Sequence, residues 1–172
     1  MADAAGEGDR FRLLFVCTGN TCRSPLAEAL AREAAASRGL TGVECRSAGI
    51  RASADAPASA GSVTVAEEAG LDLGSHRSTP LDEELLDWAD LILCMTVSHR
   101  LVVERMGAGD RAVLLTRFLP EDHPERGRSV VDPVGREVEV YRDVLGLIEE
   151  AVAGLLDAVA SPGGDGAAGD PG

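Results

Sequence analysis

Short apolar runs alternate along the chain with stretches whose apolar positions recur at helical spacing. The runs RLLFV (12–16), VECRS (43–47), LILCM (91–95) and AVLL (112–115) are too short for helices and read as strands, the first and third apolar enough to be buried on both faces. Between them, residues 25–38 place Leu26, Ala29 and Leu30 on one face and Glu28, Arg32 and Glu33 on others, predicting a helix. Further helices are predicted over 58–69, ended by Gly70; over 82–88, opened by Thr79, Pro80 and the acidic pair Glu83 and Glu84; and over 98–106, stopped at Gly107. Residues 137–159 carry Val140, Val144, Leu147, Ile148, Ala151, Leu155 and Leu156 at helical spacing and form a long closing helix. Strand and helix in alternation, without an internal repeat, predict an α/β domain built on a parallel sheet. Residues 11–160 are assigned to that domain, 1–10 to a flexible leader, and the SPGGDGAAGDPG tail (161–172), with nothing to bury, to disorder.

Composition narrows the classes of function. The 172 residues are 45% apolar and 26% charged, enough for one core, and no apolar run approaches the ~20 residues of a membrane span. A net charge of -13 repels a phosphate backbone and argues against nucleic acid as a partner. All 16 basic residues are Arg, neither Lys nor Gln occurs, and Asn20 is the single Asn, a pattern that fits a G- and C-rich genome and makes the retained Asn20 worth explaining. The first ten residues lack the basic start and apolar core of a secretory signal, so the four Cys are expected to be reduced thiols of a cytoplasmic protein. Cys45 and Cys94, inside apolar runs, read as small buried hydrophobes.

The candidate chemistry lies where the first strand meets the first helix, in Cys17-Thr18-Gly19-Asn20-Thr21-Cys22-Arg23-Ser24-Pro25. A loop at the carboxyl end of a parallel strand, feeding a helix N-terminus, turns several backbone N–H groups and the positive end of a helix dipole on one spot, which suits an anion. Gly19 lets the backbone curl, Ser24 is the expected N-cap, and Pro25 suits the first helical position. Arg23 adds a planar fork that can grip two oxygens of a phosphate. Cys17, at the foot of this cradle, has surroundings that favour thiolate over thiol and hence a nucleophile. A Cys and an Arg with five residues between them recur by chance, so the weight rests on the strand before, the Gly within and the Ser-Pro and helix after.

With that context CTGNTCRSPLAEAL resembles the phosphate-binding loop of the low-molecular-weight, cysteine-dependent protein phosphatases, a family that includes protein tyrosine and protein arginine phosphatases. RSAG (46–49), AGLDLGSHRS (69–78), ADLILCMT (89–96) with His99, and DPVG (132–135) are similar to further segments of the family in the same order. The resemblance implies a three-layer α/β fold with a four-stranded parallel sheet and helices on both faces. It implies that Cys17 attacks phosphorus, that Arg23 and the loop residues Thr18, Gly19, Asn20, Thr21, Cys22 and Ser24 bind the phosphoryl group, that Ser24 stabilises the thiolate, and that Asn20 braces the loop. Asp132 is implied as the general acid and base; from residue type alone it is one of several candidates. No metal or cofactor is implied, the loop supplying the charge a Mg²⁺ would otherwise supply. The expected partner is a phosphorylated protein, with neither membrane nor nucleic acid involved; the sequence does not set the oligomeric state, and a monomer is assumed. Cys22 is a candidate resolving thiol for Cys17.

Competing readings are weaker. His76, His99 and His123 offer no spacing that selects a Cys-His pair, so surface or capping roles are expected, and Cys17 with Cys22 lacks a second Cys/His pair for zinc. A thioredoxin-coupled arsenate reductase needs relay cysteines after the third strand, and residues 101–109 contain none. A silent phosphoprotein-binding module would require neither Cys17 nor Asp132. Thr21, where tyrosine-specific relatives have a bulky aliphatic residue, and Val134 with Gly135, where they have aromatic ones, favour phosphoarginine over phosphotyrosine as substrate.

Overall fold

The computed structural model describes residues 10–161. Four strands, β1 (Phe11–Cys17), β2 (Val43–Gly49), β3 (Leu91–Cys94) and β4 (Ala112–Leu114), form one parallel sheet in the order β2-β1-β3-β4. Four α-helices lie in the connections, α1 (Arg23–Ser37), α2 (Ala60–Glu68), α3 (Glu83–Trp88) and α4 (Val97–Arg105), and α5 (Val138–Ala160) follows the last strand. The fold is the expected three-layer α/β sandwich. Residues 1–9 and 162–172, where most of the leader and tail were expected, lie outside the described residues.

Both faces of β1 are covered from Leu13 onward, which is why residues 13–16 form an unbroken apolar run. Leu13 and Phe15 face a core shared with Leu26, Leu30, Ile148, Leu155 and Leu156 of α1 and α5, whereas Leu14 and Val16 face Ile92, Leu86 and Val103 on the side of α3 and α4. Ala27, Ala31 and Ala35 give α1 a small-residue surface beneath the buried stripe of α5. The helix of 23 residues is fastened at its middle too, because a Cβ at Gly154 would overlap the Phe118 carbonyl. Cys45 and Cys94 are buried as expected, and burial pushes both thiols up to about 12, so neither is a nucleophile near neutral pH.

Two local expectations are corrected. Helix α1 begins at Arg23 with Cys22 as its N-cap, so Ser24 is not a cap and Pro25 is the third helical residue, where its missing N–H still costs nothing. Helix α3 is capped by Asp82, whose carboxylate accepts from Leu85 N at 2.8 Å, and Thr79 and Pro80 instead extend the sheet edge through a bridge from Pro80 to Gly49. The order of strands places the neighbours of β1 on opposite sides, so the connections that leave β1 and β3 diverge. A crevice opens at the carboxyl end of β1, the usual place for a ligand in such sheets.

Candidate active site

The crevice is filled by the loop between Cys17 and Arg23. Asn20 holds it there. Its backbone is left-handed, with φ of 55°, a conformation that Asn tolerates better than most residues. Its buried side chain donates to Ser24 Oγ at 2.8 Å and Ser47 Oγ at 2.9 Å and accepts from Thr79 N at 2.9 Å. Few other residues combine that backbone with a donor and an acceptor in so small a side chain, which accounts for the one Asn of the chain. Against the outside of the loop, His76 Nε2 donates to the Asn20 carbonyl at 2.7 Å. Gly49 lets the strand end approach: a Cβ there would stand 2.5 Å from Thr18 O and 2.8 Å from Asn20 N.

With the loop braced from behind, its inner side is left free. Among the described residues no acceptor meets the backbone N–H groups of residues 19–22, and the first turn of α1 has no side-chain cap. Cys17 is 2% exposed, and its Sγ lies 2.8 Å from Ser24 Oγ, a hydroxyl turned inward to the sulfur instead of capping the helix. Arg23 is almost fully buried. Nη1 donates to Val130 O at 2.9 Å and Nη2 to Thr18 Oγ1 at 3.4 Å, while Nε is buried with no hydrogen-bond partner among the described residues. An orphaned guanidinium N–H beside free amide donors is a site awaiting an anion.

Asp132 is held over this cradle. Its Oδ1 accepts from Val134 N at 3.1 Å, a turn that Pro133 favours, and its Oδ2 lies 3.6 Å from Arg23 Nη2. Half of its side chain is exposed, which suits a group that meets both a leaving atom and water. Thr21 is half-buried at the rim, with Oγ1 3.8 Å from Cys22 Sγ. Cys22 does not point into the cradle's polar wall: its sulfur lies 3.1 Å from Ser59 Oγ and 3.8 Å from the Tyr141 hydroxyl, between α2 and α5.

The structure thus brings Cys17, Thr18, Gly19, Asn20, Thr21, Ser24, Arg23 and Asp132 together, with Cys22 on the same loop facing the core. It corrects the reading of one histidine. His99 is 2% exposed, with Nε2 2.8 Å from Thr18 Oγ1, and is not a surface residue, whereas His76 is half-buried with its ring against the outside of the loop. Burial, and after it the Arg23 guanidinium, pushes His99 down to about 4, with Asp132 opposing, so its ring is neutral near pH 7. His123 does have a local role, accepting from Glu125 N and lying 3.2 Å from Glu150. Among the described residues no group of His, Cys, Asp and Glu could hold a metal ion, and no helix is long and apolar enough to cross a membrane.

The chain is similar to known proteins along most of its length. The family model for low molecular weight phosphotyrosine protein phosphatase matches residues 12–163. The chain is 38% identical over 149 residues to a protein-arginine-phosphatase of Geobacillus stearothermophilus, covering 86% of this chain and 95% of that one. It is 32% identical over 141 residues to the low molecular weight protein-tyrosine-phosphatase Etp of Escherichia coli, covering 81% and 88%. The crystal structure of a YwlE mutant from Bacillus subtilis superposes with a TM-score of 0.80 at 35% identity, covering 88% of this chain and 99% of that one. The chain is a low-molecular-weight protein phosphatase and belongs to the low molecular weight phosphotyrosine protein phosphatase family.

Proposed function

We propose that this phosphatase hydrolyses phosphoarginine side chains of proteins through a phosphocysteine intermediate. Arg23, through its free Nε–H, and the loop amides take the phosphoryl oxygens, setting phosphorus above Cys17 Sγ. The thiolate attacks phosphorus as the P–N bond breaks, and protonated Asp132 gives its proton to the departing guanidine nitrogen. Water then attacks the phosphocysteine, Asp132 takes back a proton, and inorganic phosphate leaves with the thiolate restored. Ser24 Oγ, 2.8 Å from the sulfur, donates to the thiolate in both steps. Charge on the transferring group is met by donors already fixed in place, the economical arrangement for phosphoryl transfer.

Thr21 carries the choice of substrate. Its hydroxyl faces the loop above Gly19, where a Cβ would come 3.7 Å from Oγ1, and it can accept a hydrogen bond from a guanidinium entering over the cradle. The resemblance to arginine phosphatases at 38% identity supports the assignment. A phenyl ring, by contrast, finds no aromatic partner after Asp132, forgoing ~0.5–1.5 kcal/mol for each missing stack. The second reading, phosphotyrosine, draws on Val131 and Val134, both more than half exposed beside Asp132, as aliphatic walls for a ring. Turnover of matched phosphoarginine and phosphotyrosine peptides tests the assignment: faster hydrolysis of the arginine peptide is expected, and a clear preference for the tyrosine peptide overturns it. An acid quench during turnover tests the intermediate separately, with phosphate recovered on the Cys17 peptide as the expected result.

A further inference from the structure

Outside the catalytic loop the described residues line an open surface cavity of about 250 Å³. It lies where the segment 76–79 runs along the open edge of β2, with Arg46 and Ser47 on the strand, Glu28 on α1 and Leu85 on α3 completing its walls. That volume is ~8 times the share of one liquid water, too much for a lone bridging water and small for a drug-sized ligand.

Its charge is opposite to that of the chain. Two guanidiniums, Arg46 and Arg77, face one carboxyl, in a protein of net charge -13, and among the described residues neither Arg is paired with a carboxylate. The lone carboxyl, Glu28, is met by Arg32 Nη2 at 3.2 Å and by the Ser47 hydroxyl at 3.3 Å, which leaves the two forks uncompensated. Both side chains are exposed, and each makes one local contact. Arg46 lies over the Trp88 ring at 4.3 Å, and Arg77 Nη1 donates to the His76 carbonyl at 2.7 Å. Planar forks of this kind match oxyanions.

The floor of the cavity is the brace of the catalytic loop. Ser47 Oγ accepts from Asn20 Nδ2, His76 Nε2 donates to Asn20 O, and the Thr79 N–H donates to Asn20 Oδ1. We propose that this cavity binds a small oxyanion with two charged ends, one for each guanidinium, and that its occupancy reaches the catalytic loop through Asn20. Such a ligand competes with Glu28 for the Ser47 proton and with Asn20 for the His76 N–H. It loosens the brace of a residue held at positive φ without touching Cys17, Arg23 or Asp132. The expected kinetic signature is a lower kcat with KM little changed, by ~2–10-fold, the size of one net hydrogen bond. The site stands independently of which phosphorylated side chain the loop prefers, because it is read on para-nitrophenyl phosphate.

The test is a titration of the full chain with citrate and, separately, with methylenediphosphonate, which separates carboxylate from phosphoryl ligands. Turnover of para-nitrophenyl phosphate and the His76 ring resonances are followed together. Saturable shifts at His76, with a fall in kcat, are expected for one of the two probes. Arg77→Ala combined with Arg46→Met, which keeps an aliphatic chain over Trp88, should weaken that probe ~10-fold or more while leaving uninhibited turnover within about twofold. Arg77→Ala alone, at an exposed position, repeats the measurement with minimal risk to folding. Inhibition that is purely competitive, His76 shifts absent with both probes, or a response unchanged in both variants overturns the proposal.

Discussion

His99 Nε2 stands 2.8 Å from Thr18 Oγ1, and the same hydroxyl accepts from Arg23 Nη2 at 3.4 Å, so a buried neutral imidazole fixes one side of the guanidinium while Val130 O fixes the other. The ring is carried by the first turn of α4, whose cap, Thr96 Oγ1, accepts from His99 N, and whose next N–H, that of Val97, donates to Ser129 Oγ in the segment leading to Asp132. His99 thereby ties Arg23 and the acid loop to one helix end. As a positioning residue it should act mainly where Arg23 grips the phosphoryl group. His99→Ala should lower kcat/KM by ~10-fold, about the value of one charged hydrogen bond, and weaken inhibition by phosphate in parallel. His99→Asn, which keeps a donor and an acceptor, should recover much of the loss. Unchanged phosphate inhibition in the Ala variant would show that the ring only fills space.

The same histidine makes stability depend on pH. Its folded value lies near 4, below the ordinary 6.5, so between these values the unfolded chain binds a proton that the folded chain refuses. Stability from this group is therefore full above pH ~6.5 and is lost as pH falls toward 4, by on the order of 2–3 kcal/mol in all. Denaturant melts of the parent and of His99→Asn at pH 7 and pH 4.5 check it. The gap between the two pH values should narrow in the variant.

Cys17→Ser should abolish turnover while phosphate still binds, because a hydroxyl is not nucleophilic enough here but the amides and Arg23 remain in place. Asp132→Asn should slow turnover by ~10²–10⁴, the range of a positioned acid or base, with a smaller loss on esters whose leaving group needs no proton. Equal losses on all leaving groups would remove Asp132 from the role of acid.

Peroxide should oxidise Cys17 to the sulfenic acid, releasing water, and the Cys22 thiol should then displace the second water to give a disulfide. Each sulfur must first leave its hydroxyl partner, Ser24 for Cys17 and Ser59 for Cys22. That rearrangement is local to a loop whose inner face is free. After peroxide and then thiol, the parent should regain activity and Cys22→Ser should not; equal recovery would leave Cys22 as packing behind the loop.

What the sequence made legible were features written in neighbouring residues: the strands as short apolar runs, α5 as a long stripe, and the loop as Cys, Gly and Arg between a strand and a helix. The unforeseen features are set by residues far apart in the chain. Ser24 resembles a cap locally, but Cys17 and Asn20 claim its hydroxyl. His99 is 81 positions from Thr18 and His76 is 56 from Asn20, and no periodicity links them. The need for Gly49 appears only once the loop backbone folds against the end of β2. Asn20 was conspicuous by composition, and the left-handed backbone with three side-chain hydrogen bonds supplies the reason.

Substitution at Thr21 decides most directly between arginine and tyrosine as the dephosphorylated residue. The side chain is half-buried, its carbonyl accepts from Ser59 N at 2.9 Å, and its hydroxyl stands at the rim, so the backbone is anchored while the side chain can be exchanged. Isoleucine keeps the β-branch, replaces the hydroxyl with a methyl and adds a further carbon, removing an acceptor for a guanidinium and supplying apolar surface for a ring. Sites that hydrogen-bond a substrate discriminate strongly against one that leaves the bond unmade, whereas one or two extra carbons are worth only ~10-fold or so. Thr21→Ile should therefore shift the ratio of kcat/KM toward phosphotyrosine peptides by at least about tenfold, through loss on phosphoarginine and a modest gain on phosphotyrosine. Rates on para-nitrophenyl phosphate separate this from general damage, since that substrate tests the loop alone. A ratio that moves by less than about twofold, in a parent that already prefers phosphotyrosine, would replace the arginine assignment with the tyrosine one and leave the assigned roles of Cys17, Arg23 and Asp132 as they stand.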